Sequence, residues 1–172
     1  LEPGQPPPHP PATPARIVQL KITAATRGPP RLIAFTAAQL IADPRNLMLT
    51  MKLRPSWPNL GVISLAHSYG FSSLVLPLLL HGIPLLLGPS SLPEALRSAT
   101  AGAGEFTLPA VPALWRAWHE ANAIPTGVRL AISAGAPLPI ALEGEVFGRC
   151  GLKLHNFYGS SECGGIAYDA TP

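Results

Sequence analysis

Four short segments of this 172-residue chain combine small residues, hydroxyl groups and charges in a way that suits phosphate chemistry. They are residues 23–31 (TAATRGPPR), 67–70 (HSYG), 133–139 (SAGAPLP) and 156–165 (NFYGSSECGG). Small residues let a ligand approach the backbone, and hydroxyl and amide N–H groups bind phosphate oxygens. Glu162 adds a carboxylate, which is a ligand that Mg²⁺ accepts. The four segments are therefore candidates for one binding site.

The elements around these segments predict an α/β fold, a mostly parallel sheet with helices on both faces. Apolar runs typical of buried strands occupy residues 61–66, 83–87, 105–108, 128–133 and 153–158. Helical patterns lie between them at residues 71–80, 92–101, 112–121 and 139–147, with Ser91 the predicted cap of the second helix. Regular alternation of strand and helix indicates a parallel sheet. Ligands bind at the carboxyl ends of such strands, where these segments begin.

The chain upstream of the sheet is predicted to form a hairpin and a helix. Residues 16–23 alternate apolar and polar side chains, and residues 31–35 provide a second strand to pair with them. Thr36 is predicted to cap a helix that Asp43-Pro44 interrupts or kinks. Residues 1–14 contain seven prolines and predict a disordered linker, which leaves residues 15–172 as the folded part.

The composition excludes several classes of protein. Charged residues make up 12% of the chain, against about 25% in a typical domain, which favours a piece of a larger globular protein. Lys and Arg are scattered, so we expect no nucleic-acid partner. The apolar stretch 71–87 is interrupted by prolines and is shorter than the roughly 20 residues of a spanning helix, so we expect no integral membrane segment. Cys150 and Cys163 form no disulfide or zinc pattern and indicate reduced thiols in the cytoplasm.

Three of the segments resemble motifs of the adenylate-forming (AMP-binding) superfamily, which includes acyl-CoA synthetases. Residues 156–162, NFYGSSE, resemble its N-x-Y-G-x-T-E motif. Residues 133–138, SAGAPL, are similar to its S-G-G-A-P-L motif, and residues 67–70 resemble its H-x-x-G step. Their order follows the family pattern over most of the chain. The resemblance implies a fragment of the large N-terminal domain of an acyl-CoA synthetase-like enzyme.

That resemblance implies a reaction and its cofactors. In the family, ATP and a carboxylic acid give an acyl-adenylate and pyrophosphate, and the acyl group then passes to a thiol such as CoA. ATP, Mg²⁺ and CoA are therefore the expected cofactors, with fatty acid metabolism as the setting. The acid is expected to be apolar, since Phe71 and Leu74 are apolar and Gly164 and Gly165 leave room.

The resemblance also implies roles for individual residues. Ser161 would bind the phosphate, Glu162 would hold Mg²⁺, and His67 would line and gate the acyl pocket; these three form the expected catalytic set. Adenine would lie between the 135–137 turn and the ring of Tyr158. The implied nucleotide-binding residues are Gly135, Ala136, Pro137, Tyr158, Gly159, Thr23, Thr26, Gly28 and Arg31.

Residues 23–31 depart from the family's phosphate loop, T-S-G-T-T-G-x-P-K. Ala24 and Ala25 replace a hydroxyl and a glycine, Arg27 replaces a second hydroxyl, and Arg31 replaces the closing lysine while keeping its charge. An alternative is therefore a non-catalytic relative that retains a small-molecule or nucleotide pocket. A third is a structural fragment with no independent function.

The resemblance also implies parts that have no counterpart in these 172 residues. They are a later Asp that grips the ribose, a hinge, and a mobile C-terminal domain with a catalytic Lys. We therefore expect that this chain alone forms no acyl-adenylate at a useful rate.

Overall fold

A computed structural model describes residues 16–23, 28–88 and 90–172 of the chain. The predicted linker at residues 1–14 lies outside the described residues. So do residues 24–27 of the phosphate loop, including the predicted site residue Thr26.

A two-stranded antiparallel hairpin and a long helix precede the main sheet. Strands β1 (Ile17–Ile22) and β2 (Leu32–Thr36) pair as predicted. Helix α1 (Ala37–Met51) begins with a capping box, in which the Thr36 hydroxyl accepts the Gln39 N–H and the Gln39 side chain accepts the Thr36 N–H. Of the predicted interruption or kink at Asp43-Pro44, the interruption is wrong, since α1 runs unbroken from Ala37 to Met51. Pro44 lies inside α1 and is buried, so packing offsets the hydrogen bond that a mid-helix proline removes.

The main sheet has six strands, of which five run parallel. The elements that follow α1 are β3 (Asn59–Gly61), α2 (Ser68–Gly70), α3 (Leu76–His81), β4 (Leu85–Leu87), α4 (Pro93–Thr100), β5 (Phe106–Ala110), α5 (Pro112–Glu120), β6 (Val128–Ser133), α6 (Ile140–Cys150), β7 (Leu154–Ser160) and β8 (Gly164–Tyr168). The strand order is β4-β3-β5-β6-β7-β8, and only the β7–β8 pair is antiparallel. This confirms the predicted mostly parallel α/β fold.

Helices cover both faces of this sheet, as predicted. On one face, α4, α5 and α6 pack around Trp115 and Trp118, which are 0% exposed and meet edge to face at 5.2 Å between ring centroids. Their indole N–H groups donate to the carbonyls of Ile132 and Ser91. The other face is covered by α1 and by the 68–81 helix, a name used here for α2, a π-helical turn (Phe71–Val75) and α3 together.

Three local predictions differ from the structure. The strand predicted at residues 61–66 begins and ends earlier, at β3. Asn59 can be buried in this strand because its side-chain amide donates a 3.2 Å hydrogen bond to the Ser73 carbonyl. The cap of α4 is Leu92 rather than Ser91, since Pro93 at the first helical position holds the residue before it extended. No strand is predicted after residue 158, yet β8 forms at Gly164–Tyr168 by pairing with β7, although glycine has low strand propensity.

No helix in the described part of the chain is both long and apolar enough to cross a bilayer.

The core on the α6 side gives a direct test of this packing. We predict that Leu142→Ala, at a fully buried position, lowers the free energy of unfolding by about 2–5 kcal/mol, since it leaves a cavity. Ile140→Ala in the same helix, where the side chain is 87% exposed, should change it by no more than about 0.5 kcal/mol. Urea denaturation of both variants measures the difference, and equal losses would contradict the assignment of α6 to the core.

Candidate active site

A cavity of about 500 Å³ opens at the carboxyl ends of the parallel strands. Val62 follows β3, Val111 follows β5, Gly135 follows β6, and Ser161 follows β7. The 68–81 helix forms a side wall of the cavity with Ser68, Tyr69, Gly70, Ser72 and Ser73. The cavity therefore lies where parallel α/β sheets bind ligands.

The structure brings four of the predicted site residues into this cavity. They are His67, Gly135, Gly159 and Ser161, which come from three separate segments. A second set lies in the same loops but does not line the cavity, and its members are exposed: Ala136, Pro137, Tyr158 and Glu162. A third set, Thr23, Gly28 and Arg31, lies at the hairpin and does not line the cavity.

A hydrogen bond joins the second and fourth segments. The Ser68 hydroxyl, in the first turn of the 68–81 helix, donates to the Ser161 hydroxyl oxygen at 3.2 Å. The two residues are 93 positions apart in the chain, so only the fold brings them together. This contact joins two hydroxyl groups of residues that line the cavity, and exposed Glu162 follows Ser161 in the chain.

Tyr69 supplies an aromatic wall between the helix and the sheet. Its phenol donates to the Ala110 carbonyl at 3.5 Å, and its ring is tilted against Phe157 with 6.1 Å between centroids. Burial raises the pKa of the Tyr69 phenol, so the group stays neutral at physiological pH. This side of the cavity is therefore aromatic and uncharged.

The turn after β6 depends on a glycine. Gly135 has φ +85°, a left-handed conformation that other residues rarely adopt, and a Cβ there would lie 3.3 Å from Val111 Cγ1. The Ala134 N–H donates to the Ala110 carbonyl, which holds the turn against β5. Ala136 and Pro137 are consequently presented at the surface beside the cavity, where a flat group can approach them.

The hairpin from β7 to β8 also requires glycines. A Cβ at Gly159 would lie 2.8 Å from the Gly164 carbonyl oxygen, and one at Gly164, which has φ +76°, would lie 2.5 Å from Asp43 Oδ1. The same Asp43 oxygen accepts the Gly165 N–H at 2.9 Å. This hydrogen bond ties α1 to the hairpin that carries Ser161 and Glu162.

Tyr158 lies on the opposite face of β7 from Phe157, since side chains alternate along a strand. Tyr158 is 62% exposed, so its side chain is accessible to a partner.

The hairpin end of the predicted phosphate loop is closed by two hydrogen bonds. The Thr23 hydroxyl accepts the Arg31 N–H at 2.9 Å, and the Thr23 N–H donates to the Arg31 carbonyl at 3.0 Å. The Thr23 side chain is therefore engaged in closing the loop. Gly28 has φ +114°, and no described residue lies within 4 Å of a Cβ built there.

Sequence reasoning missed the cavity residues Ser72 and Ser73 and the tether Asp43. Tyr69, Ser72 and Ser73 stand at positions i, i+3 and i+4, which share one face of a helix. Extending the helix toward the HSYG segment would have placed all three beside His67. No sequence signal marks Asp43, since its partner lies 122 residues away.

Among residues 16–23, 28–88 and 90–172, no cluster of three or more His, Cys, Asp or Glu side chains could hold a metal by itself. Mg²⁺ is commonly bound through one or two carboxylates together with substrate phosphates. Glu162 fits that arrangement as a single carboxylate beside the Ser161 hydroxyl.

Comparison with known proteins identifies relatives of the chain. Residues 2–172 match the family described as AMP-binding enzyme. A protein named 4-coumarate–CoA ligase from Rhodobacter capsulatus is 30% identical over 155 residues, which are 87% of this chain and 39% of that protein.

Solved structures show the same fold. Apo MatB from Rhodopseudomonas palustris matches with a TM-score of 0.79 at 18% identity, over 90% of this chain and 31% of that one. The o-succinylbenzoate coenzyme A synthetase of Bacillus subtilis, in complex with ATP and magnesium ion, matches with a TM-score of 0.76 at 22% identity, over 87% and 31%. The chain thus spans about a third of the length of these proteins.

The Asp43 tether predicts a local change in hydrogen exchange. Asp43→Ala removes the acceptor of the Gly165 N–H, so exchange at that amide should accelerate about tenfold, the effect of losing one hydrogen bond of about 1.4 kcal/mol. Asp43→Asn keeps an oxygen acceptor and should stay near the wild-type rate. Hydrogen exchange followed by NMR measures both variants, and an unchanged rate in Asp43→Ala would show that the tether does not hold β8.

Proposed function

This chain belongs to the AMP-binding enzyme family, and from that membership we propose that it forms the nucleotide and acyl site of an AMP-forming acid–thiol ligase. The proposed reaction joins a carboxylic acid to the α-phosphate of ATP and releases pyrophosphate. The acyl group then passes to a thiol, for which we propose CoA. The relative from Rhodobacter capsulatus carries a name of this class of reaction.

One observation carries the proposal, the meeting of three separate segments at one cavity. His67, Gly135, Gly159 and Ser161 line it together, and the Ser68–Ser161 hydrogen bond closes its edge at 3.2 Å. Two substrates must be held side by side for this reaction, because much of the barrier is lowered by positioning. A cavity with a hydroxyl-rich mouth and an apolar interior suits a nucleotide at the edge and an acid within.

We assign the adenine to the surface between the 135–137 turn and Tyr158. Gly135 holds the turn in a conformation that presents Ala136 and Pro137, which have no bulky side chain to block a flat base. The half-open ring of Tyr158 can stack on an aromatic base, a contact that is generally worth about 1–3 kcal/mol. Gly159, next to Tyr158, adds no side chain that would obstruct the base.

We assign the phosphates to Ser161 and to the loop at residues 23–31. Glu162 is exposed beside Ser161 and would hold Mg²⁺, which supplies charge that offsets the negative charge gathered on the α-phosphate. Thr23 and Arg31 close the base of the loop, and no described residue lies within 4 Å of a Cβ built at Gly28. The Arg31 side chain contributes a positive charge.

We assign the acid to the interior of the cavity, whose lining is largely apolar. Val62, Ile63, Val111, Leu114 and Phe157 provide that lining, and His67 is an exposed residue that also lines the cavity. An acid with an apolar body, aliphatic or aromatic, is therefore the proposed substrate class. Cys150 and Cys163 are both free, which supports the cytoplasm as the proposed location.

The sequence of the phosphate loop favours a second candidate function. Ala24, Ala25 and Arg27 replace residues that would offer small size and hydroxyl donors to the β- and γ-phosphates. A protein that binds nucleotide and acid without turnover would carry such a loop. Both candidate functions predict nucleotide binding, but only the ligase predicts release of pyrophosphate.

An assay of pyrophosphate release tests the proposal. The intact protein that contains these residues should release pyrophosphate from ATP and Mg²⁺ only when a suitable carboxylic acid is added. Glu162→Gln should lower the rate about a hundredfold, comparable to losing one group that stabilises transition-state charge. Glu120→Gln, an exposed acid on α5, serves as the control and should leave the rate unchanged.

Nucleotide binding without acid-dependent release would instead support the non-catalytic candidate. An unchanged rate of pyrophosphate release in Glu162→Gln would contradict the role assigned to this carboxylate.

A further inference from the structure

A buried lysine joins the hairpin to the rest of the molecule. Lys21 is the one buried residue of β1, with 8% of its surface exposed. Its Nζ donates to the Ser72 Oγ on the 68–81 helix at 3.5 Å and lies 4.6 Å from the centroid of the Phe35 ring. Between described residues, no other hydrogen bond joins the hairpin to that helix. Lys21 therefore provides the directional contact between the two elements.

The burial of this ammonium costs free energy. Lys21 forms no salt bridge with a carboxylate of the described residues. Desolvation lowers the pKa of Lys21, and the negative charge of Asp43 opposes that shift. A methionine, which is similar in length, would fill the same space without burying a charge. Stability alone therefore does not favour a lysine here, and its polar contacts need another explanation.

Asp43, on α1, contacts the part of the chain that lines the cavity. Its Oδ1 accepts the Gly165 N–H at 2.9 Å, and a Cβ at Gly164 would lie 2.5 Å from the same oxygen. Gly164 and Gly165 line the cavity at the start of β8, directly after the turn that carries Ser161. Because the charge of Asp43 also acts on Lys21, the two residues connect the hairpin to this turn through α1.

This connection joins the two parts of the chain to which the phosphates are assigned. Thr23 follows Lys21 by two residues and closes the base of the loop by accepting the Arg31 N–H. Ser161 belongs to the turn at the other end of the connection. Hydrophobic contacts are non-directional, so the apolar side chains of the hairpin do not by themselves fix its position against α1. A hydrogen bond and a charge do, and a ligand held by two separate segments needs them aligned to within about 0.5 Å.

We propose that Lys21 and Asp43 are positioning residues, which hold the base of the phosphate loop in place relative to the Ser161 turn so that both can contact one triphosphate. This inference rests on the proposed function and deepens it, since neither side chain needs to touch the nucleotide. ATP should depend on the alignment, because its β- and γ-phosphates extend toward the loop. AMP lacks both phosphates and should bind independently of it.

Isothermal titration of the 172-residue chain with ATP and with AMP, each in the presence of Mg²⁺, tests the inference. The wild-type chain should bind ATP about tenfold more tightly than AMP, the ratio that one hydrogen bond to a charged group supplies. Lys21→Met keeps the volume but removes the charge and the hydrogen bond to Ser72, and it should bring the two affinities to within about twofold. Lys52→Met, at an exposed position, is the matched control and should retain the full ratio.

Asp43→Asn tests the same pair from the other side. It keeps an oxygen acceptor for the Gly165 N–H and removes the charge near Lys21, so the preference for ATP should fall by about threefold. In the double variant, the ratio should lie within about twofold of that in Lys21→Met, because residues that act as a unit do not have additive effects.

Urea denaturation of the same proteins separates positioning from folding. Lys21→Met should be at least as stable as the wild type, since it removes a buried charge. A loss of stability that weakens ATP and AMP equally would show a purely structural role and overturn the inference, as would a tenfold ratio that survives both single variants.

The two nucleotides also separate this inference from the proposed function. Saturable AMP binding with no preference for ATP in the wild-type chain would overturn the positioning role and leave the nucleotide assignment intact. Binding of neither nucleotide would contradict the proposed function, and the inference with it.

Discussion

The cavity depends on one close contact between two stretches of backbone. Gly70, in the first turn of the 68–81 helix, lies so near the residues after β3 that a Cβ would collide with the Ser64 carbonyl oxygen and lie 3.2 Å from Leu65 Cα. Only glycine permits this approach. The contact holds the start of the helix against the residues that follow β3, which brings Ser68 to Ser161 and places Ser72 and Ser73 in the cavity lining.

The wall formed by this helix joins two chemical environments. Near its start, hydroxyl groups face the turn that carries Glu162. Farther along, aromatic and aliphatic side chains enclose a buried pair of serines and the ammonium of Lys21 behind them. The cavity thus combines an apolar body with a polar end.

The fold could be predicted from the sequence where local pattern and tertiary packing agree. The strands β5 and β6 are largely apolar runs, and the Trp115 and Trp118 helix has a clear buried face, so their order and type follow from periodicity. The prediction failed where a distant partner decides the outcome. Asn59 belongs to a buried strand only because Ser73 accepts its amide, and β8 forms although its glycines disfavour a strand.

The same distinction applies to the candidate site. Motif resemblance identified His67, Gly135, Gly159 and Ser161, which the fold gathers into one cavity. It gave no indication of Ser73, whose position depends on a π-helical turn, or of Lys21, which crosses from the hairpin to the helix wall. Short-range patterns do not encode such contacts between distant segments.

The most direct test of the central claim, that the motif loops form one nucleotide site, is an NMR titration of the ¹⁵N-labelled chain with AMP. We predict saturable amide shifts concentrated at Gly135, Ala136, Gly159 and Ser161, with little change along α4. Saturable shifts centred elsewhere, or no saturation at all, would contradict it.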